Sequence, residues 1–417
     1  MSQPPVTSIV ILTRNEIAYT RACVESIQRL TPEPFEFVFV DNGSTDGTVE
    51  YLRGIDGAVV NENDANLGFG GGCNQGIAAS TGERILLLNN DVVVTEGWLT
   101  ALHRELDSGA HVGIAGPRSN RVAGVQQVDE AVTGYDVETL DGLEPWAATW
   151  RESNRGASDP CVRLVGFCLL VERRVIDRIG GFDLRFGLGN FEDDDFCIRA
   201  GVAGFESRIA HDSFIHHAGS RTFTAERIDY VSTMSANQAR FAAKWRLTAE
   251  EDQFASGSYR ADLVVQRTAF DVERHYAPLI GTPDEDTRAE LGDTRSTVLL
   301  VCADRADAVA TRESLAAAFH GFGPEDDVTV CVRVDPRDDT TFALLDELAD
   351  AVGDDALPDV VVIEASDAND CPVLRSSSAV VIAGRMGAAR AALASSLGVT
   401  PLAPHALGTL HGARRAA

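Results

Sequence analysis

The 417-residue chain is 44% hydrophobic and 24% charged, an ordinary globular balance with room for two or three domains. Its formal net charge of −27 and pI near 4.6 disfavour nucleic acid and anionic membrane surfaces as broad partners. Eight cysteines without a Cys-x-x-Cys pair, no apolar run of bilayer-spanning length and no basic or apolar leader at the N-terminus predict a cytoplasmic protein with reduced thiols and no transmembrane segment.

In chain order, Ser8–Leu12 reads as a buried strand ending in Thr13-Arg14-Asn15-Glu16, and a helix follows to about Arg29. Phe35–Val40 is the next strand. It runs into Asp41-Asn42-Gly43-Ser44-Thr45-Asp46, turn formers that also suit a helix N-cap. Ala58–Val60 is a weaker third strand, followed by Asn66, the glycine run Gly68-Phe69-Gly70-Gly71-Gly72, and a helix over about 73–80 carrying Asn74. Ile85–Leu88 has no polar alternation, the pattern of a strand buried on both faces, and stops at Asn89-Asn90-Asp91. Strand and helix alternate throughout, which predicts an α/β fold with a doubly wound, mostly parallel sheet.

Parallel strands bring their carboxyl ends to one edge, where such sheets bind ligands. Thr13/Asn15, Asp41/Asn42 and Asn89/Asn90/Asp91 would therefore share a polar site able to hold a hard divalent cation with phosphates. Read alone, Asn-Asn-Asp is equally a turn. Gly68-x-Gly70 begins like a dinucleotide fingerprint, but Cys73 stands where the third glycine belongs, which argues against a nicotinamide site. These glycines would instead let backbone approach a ligand closely.

A helix is predicted over Trp98–Leu106 and a strand over Val112–Ala115. Residues 117–160 read as an excursion with little regular structure, with Trp146 and Trp150 packed rather than stacked on sugar. Leu164–Val171 is a strand, and the helix after it stops at Gly180-Gly181. Phe191-Glu192-Asp193-Asp194-Asp195-Phe196 sets four acids between apolar flanks. Crowded carboxylates raise one another's proton affinity and suit a general base, while acids also favour a helix N-terminus. Ser207–Ala210 reads as an edge strand, then Phe214–Ile215 leads to His216-His217, a possible metal ligand with its neighbour or a structural pair.

These motifs in this order resemble the inverting glycosyltransferase family 2, of GT-A fold, in its rhamnosyltransferase- and galactofuranosyltransferase-like branch, over about residues 6–245. The resemblance implies a hexosyltransferase-type enzyme that moves a sugar from a UDP-, dTDP- or GDP-sugar to a hydroxyl of a glycan, lipid-linked or protein acceptor, in cell-surface polysaccharide synthesis. It implies that Asp41 contacts the nucleotide base, with Thr13 and Asn15 lining that pocket and Asn66, Gly68, Asn74 and Asn90 shaping the donor site. Asp91 would hold Mg²⁺ or Mn²⁺ against the diphosphate. His216 would be a further metal or phosphate ligand, with His217 as the fallback, and Asp193 would be the catalytic base, with Asp194 as competitor. Only one position of Asn-Asn-Asp is acidic, a departure from Asp-x-Asp.

The expected organisation is a GT-A domain over 1–245, a helical connector over 246–294 and a second, smaller α/β domain over 295–417. In that domain, strands near 297–301, 328–332, 360–363 and 379–382 alternate with helices near 308–319, 342–351 and 388–397. It resembles a degenerate GT-B donor lobe, suited to packing, acceptor docking or self-association as a homo-oligomer. Two other readings are a decayed sugar-nucleotide-binding scaffold and a nucleotidyltransferase. The latter lacks its basic glycine-rich loop after the first strand, where Thr13-Arg14-Asn15-Glu16 stands.

Overall fold

The computed structural model describes residues 7–219, 230–254, 258–279, 294–303, 307–334, 339–353, 356–364, 377–381, 383, 391, 394 and 399–407. The chain divides into two compact units, Met1–Phe270 and Asp271–Ala417. Residues 246–270, expected in a connector, thus belong to the first unit, where Tyr259 and Val264 join Phe241 and Trp245 in a common apolar cluster.

The first unit is built on a nine-stranded sheet. Its strands are β1 (Thr7–Thr13), β2 (Phe35–Asp41), β3 (Val59–Glu62), β4 (Arg84–Asn89), β5 (Val92–Val94), β6 (Val112–Ser119), β7 (Ser158–Cys161), β8 (Cys168–Glu172) and β9 (Glu206–His217). The order is β3-β2-β1-β4-β8-β6-β9-β5, with β7 on β9. Seven α-helices accompany them among the described residues before residue 205: α1 (Ile17–Leu30), α2 (Thr48–Arg53), α3 (Gly68–Ala79), α4 (Trp98–Asp107), α5 (Leu143–Ser153), α6 (Arg173–Ile179) and α7 (Glu192–Val202). Strands β1 to β4 run parallel, as their apolar runs and intervening helices predict. Ile9, Ile11, Phe39, Leu86 and Leu88 from these strands enter one buried cluster with Cys23, Val24 and Ile27 of α1. The register pairs Thr13 with Asp41 and Leu12 with Asn89, so the polar strand ends do meet at one edge.

The sheet then changes direction: β8 is antiparallel to β4, and β6 to β8. An apolar run encodes burial, not direction, so this reversal is not legible in the residues. Residues 117–160 are more regular than expected, holding α5 and β7, because Trp146 and Trp150 stack at 5.4 Å and meet Phe214 of β9. The predicted edge strand at 207–210 is instead one twelve-residue strand, β9, that continues to the histidines. Its polar interruption is satisfied in place: Arg104 makes a fork of 2.7 and 2.8 Å onto Asp212, and the Ser213 hydroxyl donates to the Trp98 carbonyl. Likewise α3 starts at Gly68, earlier than the expected 73, with Asn66 Oδ1 accepting from the Gly68 amide.

The second unit carries a five-stranded parallel sheet, in the order Asp359–Glu364, Val328–Val334, Thr297–Cys302, Ala379–Val381, Thr400–Leu402. Helices Ala308–Gly321 and Asp339–Val352 supply Leu315, Phe319, Leu344 and Leu348 to its core. The last strand was not anticipated, and the helix expected near 388–397 falls largely outside the described residues. Among the described residues no helix is long and apolar enough to cross a membrane.

Candidate active site

The β1 and β2 ends form a closed hydrogen-bonded loop. Asp41 is buried, and its carboxylate accepts from Thr13 Oγ1 (2.9 Å), Ser44 Oγ (2.5 Å) and the amides of Gly43 (3.0 Å) and Ser44 (2.7 Å). Four donors occupy the lone pairs of both oxygens, so Asp41 shapes the 41–45 turn rather than presenting a free carboxylate. Asn15 adopts φ +53° and accepts from the Thr45 amide at 2.8 Å, while Arg14 donates to the carbonyls of Asn42 and Gly43. A nucleoside docking here would meet a preformed loop.

Asn74, expected at the donor site, is fully buried. Its amide exchanges two bonds with the backbone of Phe182 (2.7 and 2.9 Å) and ties α3 to the segment before α7. Gly68 has φ +76°, and a Cβ there would fall 2.5 Å from the Gly187 carbonyl oxygen, so only glycine fits against the 186–191 loop. Asn90 is buried and donates to Thr20 Oγ1 at 3.0 Å.

Neighbouring residues in a strand point to opposite faces, and the two histidines of β9 part company accordingly. His217 Nε2 lies 3.2 Å from Asp91 Oδ1, while its Nδ1 meets the Arg121 carbonyl at 2.6 Å. His216, the expected ligand, turns its Nδ1 to the Tyr135 hydroxyl at 2.9 Å. Burial opposes the charge on Asp91, but the His217 hydrogen bond and charge outweigh it and hold the carboxyl below its ordinary range. Burial likewise opposes the charge on His217, yet Asp91 raises it above the ordinary histidine value. At His216, burial and then the His217 charge push the ring down to about 4, so it stays neutral.

Among the described residues no three His, Cys, Asp or Glu side chains gather as a metal centre. Asp91 and His217 nevertheless fit two ligands of one. The Arg121 carbonyl accepts from the Nδ1–H, so Nε2, on loss of the proton it shares with Asp91, would be the nitrogen that faces a cation, the usual orientation of a ligating histidine. Phosphate oxygens of a bound nucleotide would fill other positions, as magnesium and manganese sites commonly require.

Beside this pair opens a cavity of about 520 Å³, lined by His217, Asn89, Phe167, Arg163 and the first turn of α7. The four acids of that turn differ sharply. Asp195 is fully buried and bonds Arg199 at 2.7 Å. Asp194 is buried and paired with Arg163 at 2.8 Å; burial and then the charge of Asp193 raise it to about 7. Glu192 is buried, with one carboxyl oxygen lacking any hydrogen-bond partner, and burial followed by the Asp193 charge holds it neutral far above the usual carboxylate range. Asp193 alone is partly exposed. Its oxygens each accept one amide at 2.8 Å, from Gly166 and Asp194, which leaves a lone pair on each. It is fixed in orientation and open to a proton from the cavity.

Sequence reading did not anticipate Arg163, Gly166 or Tyr259, which line the cavity. Arg163 and Gly166 precede a strand without any motif, and Tyr259 lies beyond the expected domain. The one signal in the sequence that could have led to Arg163 is the need of four adjacent acids for a cation.

Residues 8–176 match the family model described as Glycosyl transferase family 2, a span that includes Asp41 and Asp91 and ends before α7. An N-acetylglucosaminyl-diphospho-decaprenol L-rhamnosyltransferase of Mycobacterium tuberculosis is 27% identical over 239 residues, covering 52% of this chain and 78% of the relative. A PGL/p-HBAD biosynthesis glycosyltransferase of Mycobacterium bovis is 35% identical over 91 residues, 21% of this chain and 36% of the relative. Among solved structures, a mannosyltransferase of Pyrobaculum calidifontis in complex with GDP-Man and Mn²⁺ aligns with a TM-score of 0.40 at 17% identity, over 57% of this chain and 65% of the other.

Proposed function

From the match of residues 8–176 to the glycosyltransferase family 2 model, we propose that this chain moves a sugar from a nucleotide-diphospho-sugar to an acceptor hydroxyl with inversion at the anomeric carbon. One observation carries the reading: a single cavity is lined both by Asp193 and by His217, whose ring bonds Asp91. A general base and a cation seat thus border the same space, as a single displacement requires. The nucleotide would rest at the 41–45 loop, and its diphosphate would approach the Asp91–His217 pair.

Asp193 takes the proton of the acceptor hydroxyl as it attacks, held in aim by the Gly166 amide. Asp194, tied to Arg163, sets the charge beside it. Phe167 stacks on the His217 ring at 5.2 Å and walls the cavity with an apolar surface. A Mg²⁺ or Mn²⁺ bound by Asp91 and His217 would neutralise charge on the leaving diphosphate. The relative's name describes a lipid-linked acceptor, and a glycan or lipid-linked acceptor is our reading here. Incubation with UDP-, GDP- and dTDP-sugars, with Mn²⁺ or with a chelator, tests the activity. Release of a nucleotide diphosphate from one donor only with metal is expected, and release from none contradicts the reading.

Asp194 also predicts a pH profile. Its proton leaves at about pH 7, so it is neutral below and anionic above. The second negative charge draws a proton more strongly toward this acidic turn, and the transfer rate should rise with pH through about 7 in the wild type. In Asp194→Asn the rise should be missing while turnover persists. A variant D194N as inactive as D193N would make Asp194 the base instead.

A further inference from the structure

Helix Tyr230–Trp245 presents Asn237, Phe241 and Trp245 at four-residue spacing, one face of a helix. Phe241 and Trp245 are buried in an apolar cluster with Phe186 and Phe191. Asn237, 2% exposed, heads the same stripe where an apolar residue would be expected. A buried amide is retained only where partners satisfy it. Its Nδ2 lies 2.7 Å from the Phe186 carbonyl, 2.8 Å from that of Gly189 and 3.2 Å from that of Asn190, so three acceptors share two protons. Arg240 donates to its Oδ1, which fixes which end of the amide faces the loop.

The clamped loop is under strain. Gly187 and Gly189 have φ of +63° and +147°, and Asn190 and Phe191 have φ of +79° and +72°. Two consecutive non-glycine residues in the left-handed region are unfavourable and persist only where surroundings enforce them. Phe191 immediately precedes α7, and its carbonyl accepts from the Asp195 amide, so the loop sets where the first turn of α7 begins. Its other side touches α3: the Phe69 amide donates to the Leu188 carbonyl at 3.2 Å, beside the tight approach of Gly68 to Gly187.

We propose that Asn237 is a positioning residue: by clamping the 186–190 carbonyls it holds the strained loop that aims Asp193 into the cavity, between the Gly68 end of α3 and α7. The role in turnover rests on the glycosyl-transfer reading above. The clamp itself does not. Misplacing a catalytic group by about 1 Å can cost roughly a hundredfold in rate.

The test is Asn237→Ala, read two ways. Hydrogen exchange should quicken for the amides of residues 187–195 and not for those of β1, β2 and β4. Hydrolysis of UDP-, GDP- and dTDP-sugars with water as acceptor should lose about tenfold to a hundredfold in kcat. The donor KM and the number of nucleotide sites per chain should stay within threefold and unchanged, respectively. Loss of folding alone would lower the number of sites and leave kcat per site intact, which overturns the proposal, as does unchanged exchange over 187–195. If N237A does not purify folded, Asn237→Asp keeps the shape, loses both donors at neutral pH and should behave the same way. Wild-type protein that turns over no nucleotide-sugar contradicts the proposed function, and the exchange measurement then decides the clamp on its own.

Discussion

Asp193→Asn should leave the protein folded and able to bind nucleotide while sugar transfer falls by about 10²–10⁴-fold, the usual contribution of a positioned general base. The substitution is nearly isosteric and removes the basic oxygen. Asp193 is the one acid of its run that is partly exposed and not paired with an arginine, and the Gly166 and Asp194 amides already hold it in orientation. The asparagine oxygen can keep one of those two bonds, so the cost to stability is about that of one hydrogen bond, 1 kcal/mol. Steady-state kinetics with a nucleotide binding isotherm on the same preparation separates the effects. A D193N enzyme within tenfold of wild type would remove Asp193 from the chemistry.

A larger effect on stability is expected two residues away. Asp195 is fully buried and takes Arg199 Nε at 2.7 Å, Lys244 Nζ at 2.6 Å and Trp245 Nε1 at 3.0 Å. Arg199, 1% exposed at its side chain, also donates to the carbonyls of Ile179 and Gly181. Asp195→Ala leaves a buried guanidinium without its counter-charge. Breaking such a pair from one side costs about 3–5 kcal/mol, because the remaining charge stays desolvated. Chemical denaturation should register that loss. A change under about 1 kcal/mol would mean that Lys244, which also bonds Asp183 at 2.6 Å, and Arg199 re-pair without cost. Lys244 is the only lysine of the chain, and its side chain, 12% exposed, is committed to this network.

The strand ends were legible because unbroken apolar runs stop abruptly at polar residues. Ile9–Ile11 and Ile85–Leu88 read as doubly buried strands, and the register of Thr13 with Asp41 follows from parallel pairing. What lies on opposite faces of one strand was not legible. His216 and His217 differ only by a pleat, and which one meets Asp91 depends on how β5 pairs with β9. Side chains that serve the fold rather than a ligand were also hidden. Asn74 and Asp41 sit in motif positions, yet their polar atoms are spent on Phe182 and on the 43–44 turn. Asn237 and Arg163 show the converse, since each takes its meaning from a partner about fifty or thirty residues away. Within the acid run, neighbours in sequence differ in burial and pairing because helix α7 turns each toward a different surrounding.

The central claim is that Asp91, with His217, seats a cation that carries the diphosphate of a nucleotide. Its most direct test is the thermal stability of wild type and Asp91→Ala with UDP, GDP or dTDP, each with and without Mn²⁺. A ligand at about a hundred times its Kd stabilises the folded state by about 2.7 kcal/mol, a readily measured rise in Tm. One nucleotide diphosphate should raise the wild-type Tm only when Mn²⁺ is present, and D91A should lose that rise. No stabilisation by any nucleotide, or a metal-dependent rise that survives in D91A, would contradict the account.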